Sequence, residues 1–218
     1  MSKTIPLLVL IFLPMIIWRC SDNDRGKQGT DVTPAKKEVM LEKVESRDED
    51  GNLITYSKLV HSSAKEGIFR KMSPDSVLIE VANYHNDTLD GRRILFSMKG
   101  DTETIETYRK GKFEGPYLSY YQNGKLAFTG LYQNNSMEGI WERFYESGQL
   151  MEKVTFSNNQ ENGPFVEYNE NGSIKTEGTY VNGDNEDGEL KMYDENGMLI
   201  RKMQCDNGMC KTIWKKEK

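Results

Sequence analysis

The chain has 218 residues, of which 36% are hydrophobic and 29% charged, with a formal net charge of −5. So acidic a balance gives no electrostatic reason to bind nucleic acid. The hydrophilicity fits one or two domains with little deep core.

The first segment, "MSKTIPLLVLIFLPMIIWRC", carries Lys3, an apolar run from Ile5 to Trp18, and Cys20. Fourteen helical residues reach about 21 Å, short of the roughly 30 Å hydrocarbon core. Residues 1–20 therefore read as a signal peptide of lipoprotein type, with Cys20 as the lipidated residue. Trp18 and Arg19 stand where such signals usually carry small residues, so plain secretion and an uncleaved anchor stay open. Residues 21–41 read as a polar tether whose span, if flexible, is roughly 20–25 Å. The expected location is exported: a lipoprotein facing the periplasm or cell surface, otherwise a secreted protein.

Residues 42–66 contain "DEDGNLITYSKL", a degenerate first repeat or cap. From Gly67 to Lys211 the chain is periodic. Units open at Gly67, Gly91, Gly115, Gly139 and Gly163, 24 residues apart, and at Gly188, 25 further on. A period in this range marks an array of supersecondary units. Each unit holds an alternating aromatic and polar run, a central turn and a second strand-like run. Asn123-Gly124, Ser147-Gly148, Asn171-Gly172 and Asn196-Gly197 occupy the central turn, with Ser76 at the glycine place in the weaker unit that opens at Gly67. Asn-Gly between strand-like runs predicts a type I′ hairpin turn there. Segments such as "QNNSMEG" join one hairpin to the next.

Large residues recur in register. Two residues after the opening glycine stand Phe69, Tyr117, Trp141, Phe165 and Leu190. The sixth position carries Phe96, Tyr120, Phe144, Tyr168 and Tyr193; the eighteenth carries Tyr84, Tyr108, Tyr132, Phe156, Tyr180 and then Cys205. Isolated hairpins are marginal in water, so each unit must borrow core from the next. The expected repeat core is Tyr117, Tyr120, Tyr132, Trp141, Phe144, Phe156, Phe165, Tyr168, Tyr180 and Tyr193. The fold class that follows is all-β: an elongated single antiparallel sheet of stacked β-hairpin repeats. The rings after the opening glycine and at the sixth position have opposite strand parity. Either a bulge intervenes or both faces are partly covered.

"GIWERFYESGQL" and "GPYLSYYQNGKL" resemble the bacterial variant of the MORN repeat, whose unit reads approximately G-x-W-x-x-Y-Y-x-x-G-x-L. Proteins of this kind are often labelled YwqK-like antitoxins. The resemblance implies stacked β-hairpins, a binding or scaffolding role, and no shared catalytic residues. The last unit, with Cys205 for a ring, and the weak first one look like the caps that repeat arrays need.

After the array, residues 212–218 form a basic tail that includes Trp214. Cys205 and Cys210 flank "DNGM" and either close a small disulfide in an oxidising compartment or remain two thiols. Neither a metal site nor a cofactor is expected, since His61 and His85 lie far upstream of these thiols. Both histidines read as loop or turn residues, and Glu152 and Glu177 as solvated strand residues rather than a glycosidase pair. The acidic stretch 182–188, "NGDNEDG", fails the EF-hand spacing and reads as a longer turn, with calcium as the alternative. Most rings read as core; Tyr121, Tyr145 and Trp214 are the candidate partner anchors, because Asn169 and Asp194 replace the two tyrosines in later units.

The function expected is a non-enzymatic, envelope-associated module that binds or scaffolds another protein, held at a membrane through Cys20. The alternatives are an antitoxin or immunity-type protein whose partner is a toxin, and a module contacting lipid headgroups. The acidic charge argues against anionic membranes.

Overall fold

A computed structural model describes residues 39–217. The expected signal peptide, Cys20 and nearly all of the tether lie outside the described residues. The described chain holds seventeen strands in one sheet. In order they are β1 (Leu41–Arg47), β2 (Leu53–Leu59), β3 (Lys65–Met72), β4 (Leu78–His85), β5 (Thr88–Phe96) and β6 (Thr102–Arg109). Then come β7 (Lys112–Phe113), β8 (Gly115–Tyr120), β9 (Leu126–Gln133), β10 (Ser136–Phe144), β11 (Leu150–Ser157) and β12 (Gln160–Tyr168). The last are β13 (Ile174–Val181), β14 (Asn185–Glu186), β15 (Gly188–Tyr193), β16 (Leu199–Asp206) and β17 (Met209–Lys215). Each strand pairs antiparallel with the one before and after it, except that β7 and β8 share β6, and β14 and β15 share β13. The expected stack of hairpins is therefore an open meander.

The two kinds of turn are the reverse of the expected assignment. In the central turn around Gly148, the Gly148 N–H donates to the Tyr145 carbonyl at 2.8 Å, and the Tyr145 N–H to that of Gln149 at 2.9 Å. Only the glycine has positive φ (91°), and Ser147 does not. This is a three-residue loop built on a type I turn followed by one left-handed residue. Ser76, with φ of 65°, takes that left-handed place in its own unit. The type I′ turns are instead the joining ones, where two consecutive residues have positive φ: Asn86-Asp87, Lys110-Gly111, Asn134-Asn135, Asn158-Asn159 and Asn207-Gly208. Gln133 pairs with Ser136 and Ser157 with Gln160, so these loops hold two residues and need two left-handed ones. Asparagine supplies them nearly as well as glycine.

Both faces of the sheet are partly covered, because the extra residue at the slip, Met151, lies on the following strand and leaves Trp141 and Phe144 with opposite parity. The ladder slips by one residue between Arg143 and Phe144, and at the equivalent step in the units opening at Gly67, Gly91, Gly115, Gly163 and Gly188. The core thus collects the rings after the opening glycine. Trp141 (0% exposed), Val154, Phe165, Leu190 and Cys205 form the buried cluster, with Tyr117, Tyr132, Phe156 and Tyr180 packed against it. The sixth-position rings Tyr120, Phe144, Tyr168 and Tyr193 are half-buried and stand outside that cluster.

Close packing is set by small residues beneath the rings. Tyr117 pairs with Gly130 and Phe165 with Gly178 across their hairpins. A Cβ at Gly130 would overlap the Trp141 indole, and one at Gly178 would sit 2.8 Å from Leu190 Cδ1. The ring of one unit therefore enters space left by the glycine of the unit before. Cys205 and Cys210, directly opposed across the Asn207-Gly208 turn, are joined by a disulfide.

Candidate functional site

The surfaces that could meet a partner follow from how neighbouring units are tied together. Along the joining turns, an acidic residue just before the opening glycine accepts the first N–H of the next joining turn. Glu66 takes it from Asn86 (3.1 Å), Glu114 from Asn134 (2.8 Å), Glu138 from Asn158 (2.8 Å) and Asp187 from Asn207 (3.4 Å). Turn side chains answer in return: Asn135 Oδ1 accepts from the Phe113 N–H and Asn159 Oδ1 from that of Met137. Asp187 of the acidic stretch 182–188 is one of these clasps, and Asn185 Nδ2 donates to the Asn182 carbonyl of its own turn. Among the described residues no cluster of three or more His, Cys, Asp or Glu side chains is placed to hold a metal ion.

The central turns are tied differently. The position that opens each turn carries Asp48, Ser73, Ser97, Tyr121, Tyr145, Asn169 and Asp194. Asp48, Ser97 and Asp194 each accept two backbone N–H groups of their own loop, and Ser73 accepts one. The two tyrosines reach outward instead. Tyr121 donates its hydroxyl to the Phe144 carbonyl (2.5 Å) and Tyr145 to that of Tyr168 (2.8 Å). These candidate anchors are half-buried staples between units.

Trp214 is different, and its place has a register cause. "SMEGIWERF" of β10 aligns with "MCKTIWKKE" from β17 onward, so Trp214 stands where Trp141 does. In the β9–β10 ladder, Leu131 pairs with Glu138 and Thr129 with Glu142, so Gly139, Ile140 and Trp141 pass over Gly130 alone. In β16–β17, Met203 stands at the Gly130 place and Thr212 at the Gly139 place. Met203 pairs with Thr212 and Lys202 with Trp214, leaving only Ile213 as the extra residue. The shorter bulge sets Trp214 opposite Lys202 rather than over residue 203. It is 43% exposed, next to exposed Ile213, and Met209 is exposed at the start of the same strand. Among the described residues, β17 pairs only with β16 and so presents a free edge flanked by Lys211, Lys215 and Lys216.

Sequence reasoning missed a charged group at a core position. Arg93 occupies the place of Trp141 in its unit, and Glu106 the place of Val154. Arg93 Nε lies 2.7 Å from Glu80 Oε1 and Nη1 3.2 Å from Glu106 Oε2, while Tyr108 donates to Glu106 at 2.9 Å. Burial opposes the guanidinium charge, but the two carboxylates outweigh it and hold Arg93 above its ordinary value. Burial and the Glu106 contact push the Tyr108 phenol up to about 12. The signal was the gap in the ring ladder at position 93.

The remaining titratable candidates are held apart. Glu152 pairs with Glu167 across the ladder and Glu177 with Val166, adjacent residues of β12, so the two carboxylates lie on opposite faces. Glu152 sits 3.7 Å from Arg143, and Glu177 accepts from Tyr193 and Lys191, which draws its carboxyl below the usual range. His85 Nδ1 lies 3.0 Å from Glu66 Oε1 in a joining-turn clasp, and that partner raises its pKa. His61 is exposed.

The fold and its edge define a single-sheet β-hairpin repeat protein. Four of its units, at residues 113–134, 137–158, 161–182 and 186–207, match the family described as MORN repeat variant. No curated protein matches the chain. Among solved structures, the crystal structure of a porin-like protein from Bacteroides uniformis ATCC 8492 aligns at 8% identity over 78% of this chain and 91% of that one. Its TM-score of 0.21 is too low to bear on fold or function.

Proposed function

We propose that this chain is a non-catalytic repeat protein that binds a partner polypeptide by strand addition at its C-terminal end, in the envelope, tethered through Cys20. The observation that carries the reading is β17: an edge strand with exposed Met209, Ile213 and Trp214 and neighbouring lysines. Edge strands offer unpaired N–H and C=O groups, and an added strand takes affinity from the backbone and specificity from side chains. Trp214 is the natural anchor, since buried tryptophans dominate binding energy at interfaces. The lysines favour an acidic segment. A toxin neutralised at this edge would make the chain an immunity-type protein, as the MORN-variant resemblance suggests.

A photo-crosslinking residue replacing Ile213 in the full chain, expressed in its own cell envelope, tests the reading. One partner is expected to crosslink reproducibly and to be lost in Trp214→Ser with an unchanged melting curve. A partner retained at full yield in Trp214→Ser, or none at all, would overturn it.

A further inference from the structure

The ties between central turns are uneven: side chains join them from the turn at 121–125 onward and not before it, and the last untied step leaves a cleft. Tyr121, Asn123 and Lys125 all donate to backbone carbonyls of the next unit, at Phe144, Glu146 and Ser147. Tyr145 reaches the Tyr168 carbonyl, and Asn171 and Ser173 both reach that of Glu195. Between the turn at 97–101 and the turn at 121–125, no side-chain hydrogen bond passes among the described residues. Ser97 is too short to cross, and its hydroxyl already accepts the Lys99 and Asp101 N–H groups.

The space so left is a cleft of about 470 Å³. Met98, Asp101 and Glu103 line it from one unit, and Ser119, Tyr120 and Gln122 from the next. That volume falls within the range of ligand sites, roughly 300–1,000 Å³. The chain itself displays what fits there. In the two units that follow, the place of Ser97 holds a tyrosine whose hydroxyl ends on the carbonyl of the sixth-position residue one unit on. The counterpart carbonyl here belongs to Tyr120, at the wall of the cleft.

We propose that this cleft receives a tyrosine side chain from a partner polypeptide, its ring in the place that Tyr121 and Tyr145 fill elsewhere and its hydroxyl donating to the Tyr120 carbonyl. The cleft holds more than one phenol ring, and its rim carries the Asp101 and Glu103 carboxylates, the Gln122 amide and the Ser119 hydroxyl. Those groups match the N–H and C=O of the flanking peptide, which favours a peptide tyrosine over a free phenol. The site lies on a different part of the sheet from β17 and does not depend on the reading of that edge.

The probe is the acetylated, amidated pentapeptide Arg-Phe-Tyr-Glu-Ser, the sequence of residues 143–147, titrated into the full ¹⁵N-labelled chain. Saturable shifts are expected at residues 97–104 and 119–122. Replacing the tyrosine of the peptide by phenylalanine weakens binding about fivefold, the worth of one hydrogen bond. p-Cresol is expected to bind at least about tenfold more weakly, having lost the peptide contacts. Ser97→Tyr fills the cleft and abolishes the shifts. Glu103→Trp, at an exposed rim position, does the same without touching the turn cap. Trp214→Ser leaves peptide binding unchanged, which separates this site from the β17 edge. Absence of saturable shifts, or full binding by both blocking variants, would overturn the proposal. Equal affinity for p-cresol would overturn the peptide assignment in favour of a free phenol.

Discussion

The unit opening at Gly91 and the unit opening at Gly139 share a backbone and differ in what fills it. Both slip register before the sixth position. In the later unit, Trp141 lies fully buried over Gly130 and against Val154. In the earlier one, Arg93 and Glu106 take those places, with Glu80 completing an ionic layer. The ionic layer lies between a small apolar group around Phe69 and Ala82 and the main cluster. A hairpin repeat is thus a geometric frame that accepts either apolar or paired charged contents, provided the pair is complete. The energetic consequences differ. A ring stabilises through area removed from water, whereas a charge triad roughly offsets its own desolvation and becomes costly when one member is lost.

The largest expected effect breaks the apolar side of this contrast. Trp141→Ala should cost about 3–5 kcal/mol in denaturant unfolding, because the frame cannot collapse onto the void. A loss below about 1 kcal/mol would mean that the ring does not hold adjacent units. Gly130→Ala probes the same contact from beneath and should cost about 1–3 kcal/mol by overpacking. An unchanged midpoint would show that the indole does not lie over this glycine.

Arg93→Met tests the ionic side. It strands the buried Glu106 carboxylate, but Arg93 keeps 30% of its side chain exposed, so the loss should be about 1–3 kcal/mol rather than the full buried-pair figure. An unchanged midpoint would mean that the ion pairs do not hold this layer. Tyr145→Phe removes one staple and should cost about 0.5–1.5 kcal/mol. Double-mutant analysis with Asn123→Ala would show whether successive staples add.

The smallest effect is local and pH-driven. Lys71 and Asn52 bond the Asp48 carboxylate and hold its pKa at about 2, below the ordinary carboxylate range. A depressed carboxylate stabilises above its unfolded pKa and loses that contribution as pH falls through the folded value. Between about pH 4 and 2, the protection factor of the Asn52 amide, corrected for intrinsic exchange, should therefore fall before those in β10 and β11. Asp48→Asn should abolish that order, and a uniform fall along the chain would remove Asp48 as the cause.

Period, hairpin character and the ring ladders were legible because they depend on local propensity repeated every 24 residues. The Trp141 and Phe165 positions followed directly. The sixth-position rings did not, since their own strand parity puts them on the other face from Trp141, and the extra residue of each slip lies on the following strand, where composition does not mark it. Arg93 was legible only as a missing ring. Tyr121 and Tyr145 were set apart correctly from Asn169 and Asp194, but substitution alone does not show whether a position faces solvent or the next unit.

By itself, the amino-acid sequence determined that this protein is a row of β-hairpins, the period at which they repeat, and which residues recur at the same place. Tertiary structure decided which turn carries two left-handed residues, because that depends on how many residues the ladder leaves unpaired. Register likewise decided that Trp141 enters the core while Trp214, in the same motif, stays outside. Two extra residues in the β9–β10 ladder carry Trp141 over its neighbour, whereas β17 has one and leaves Trp214 opposite Lys202, and such pairing depends on a second strand.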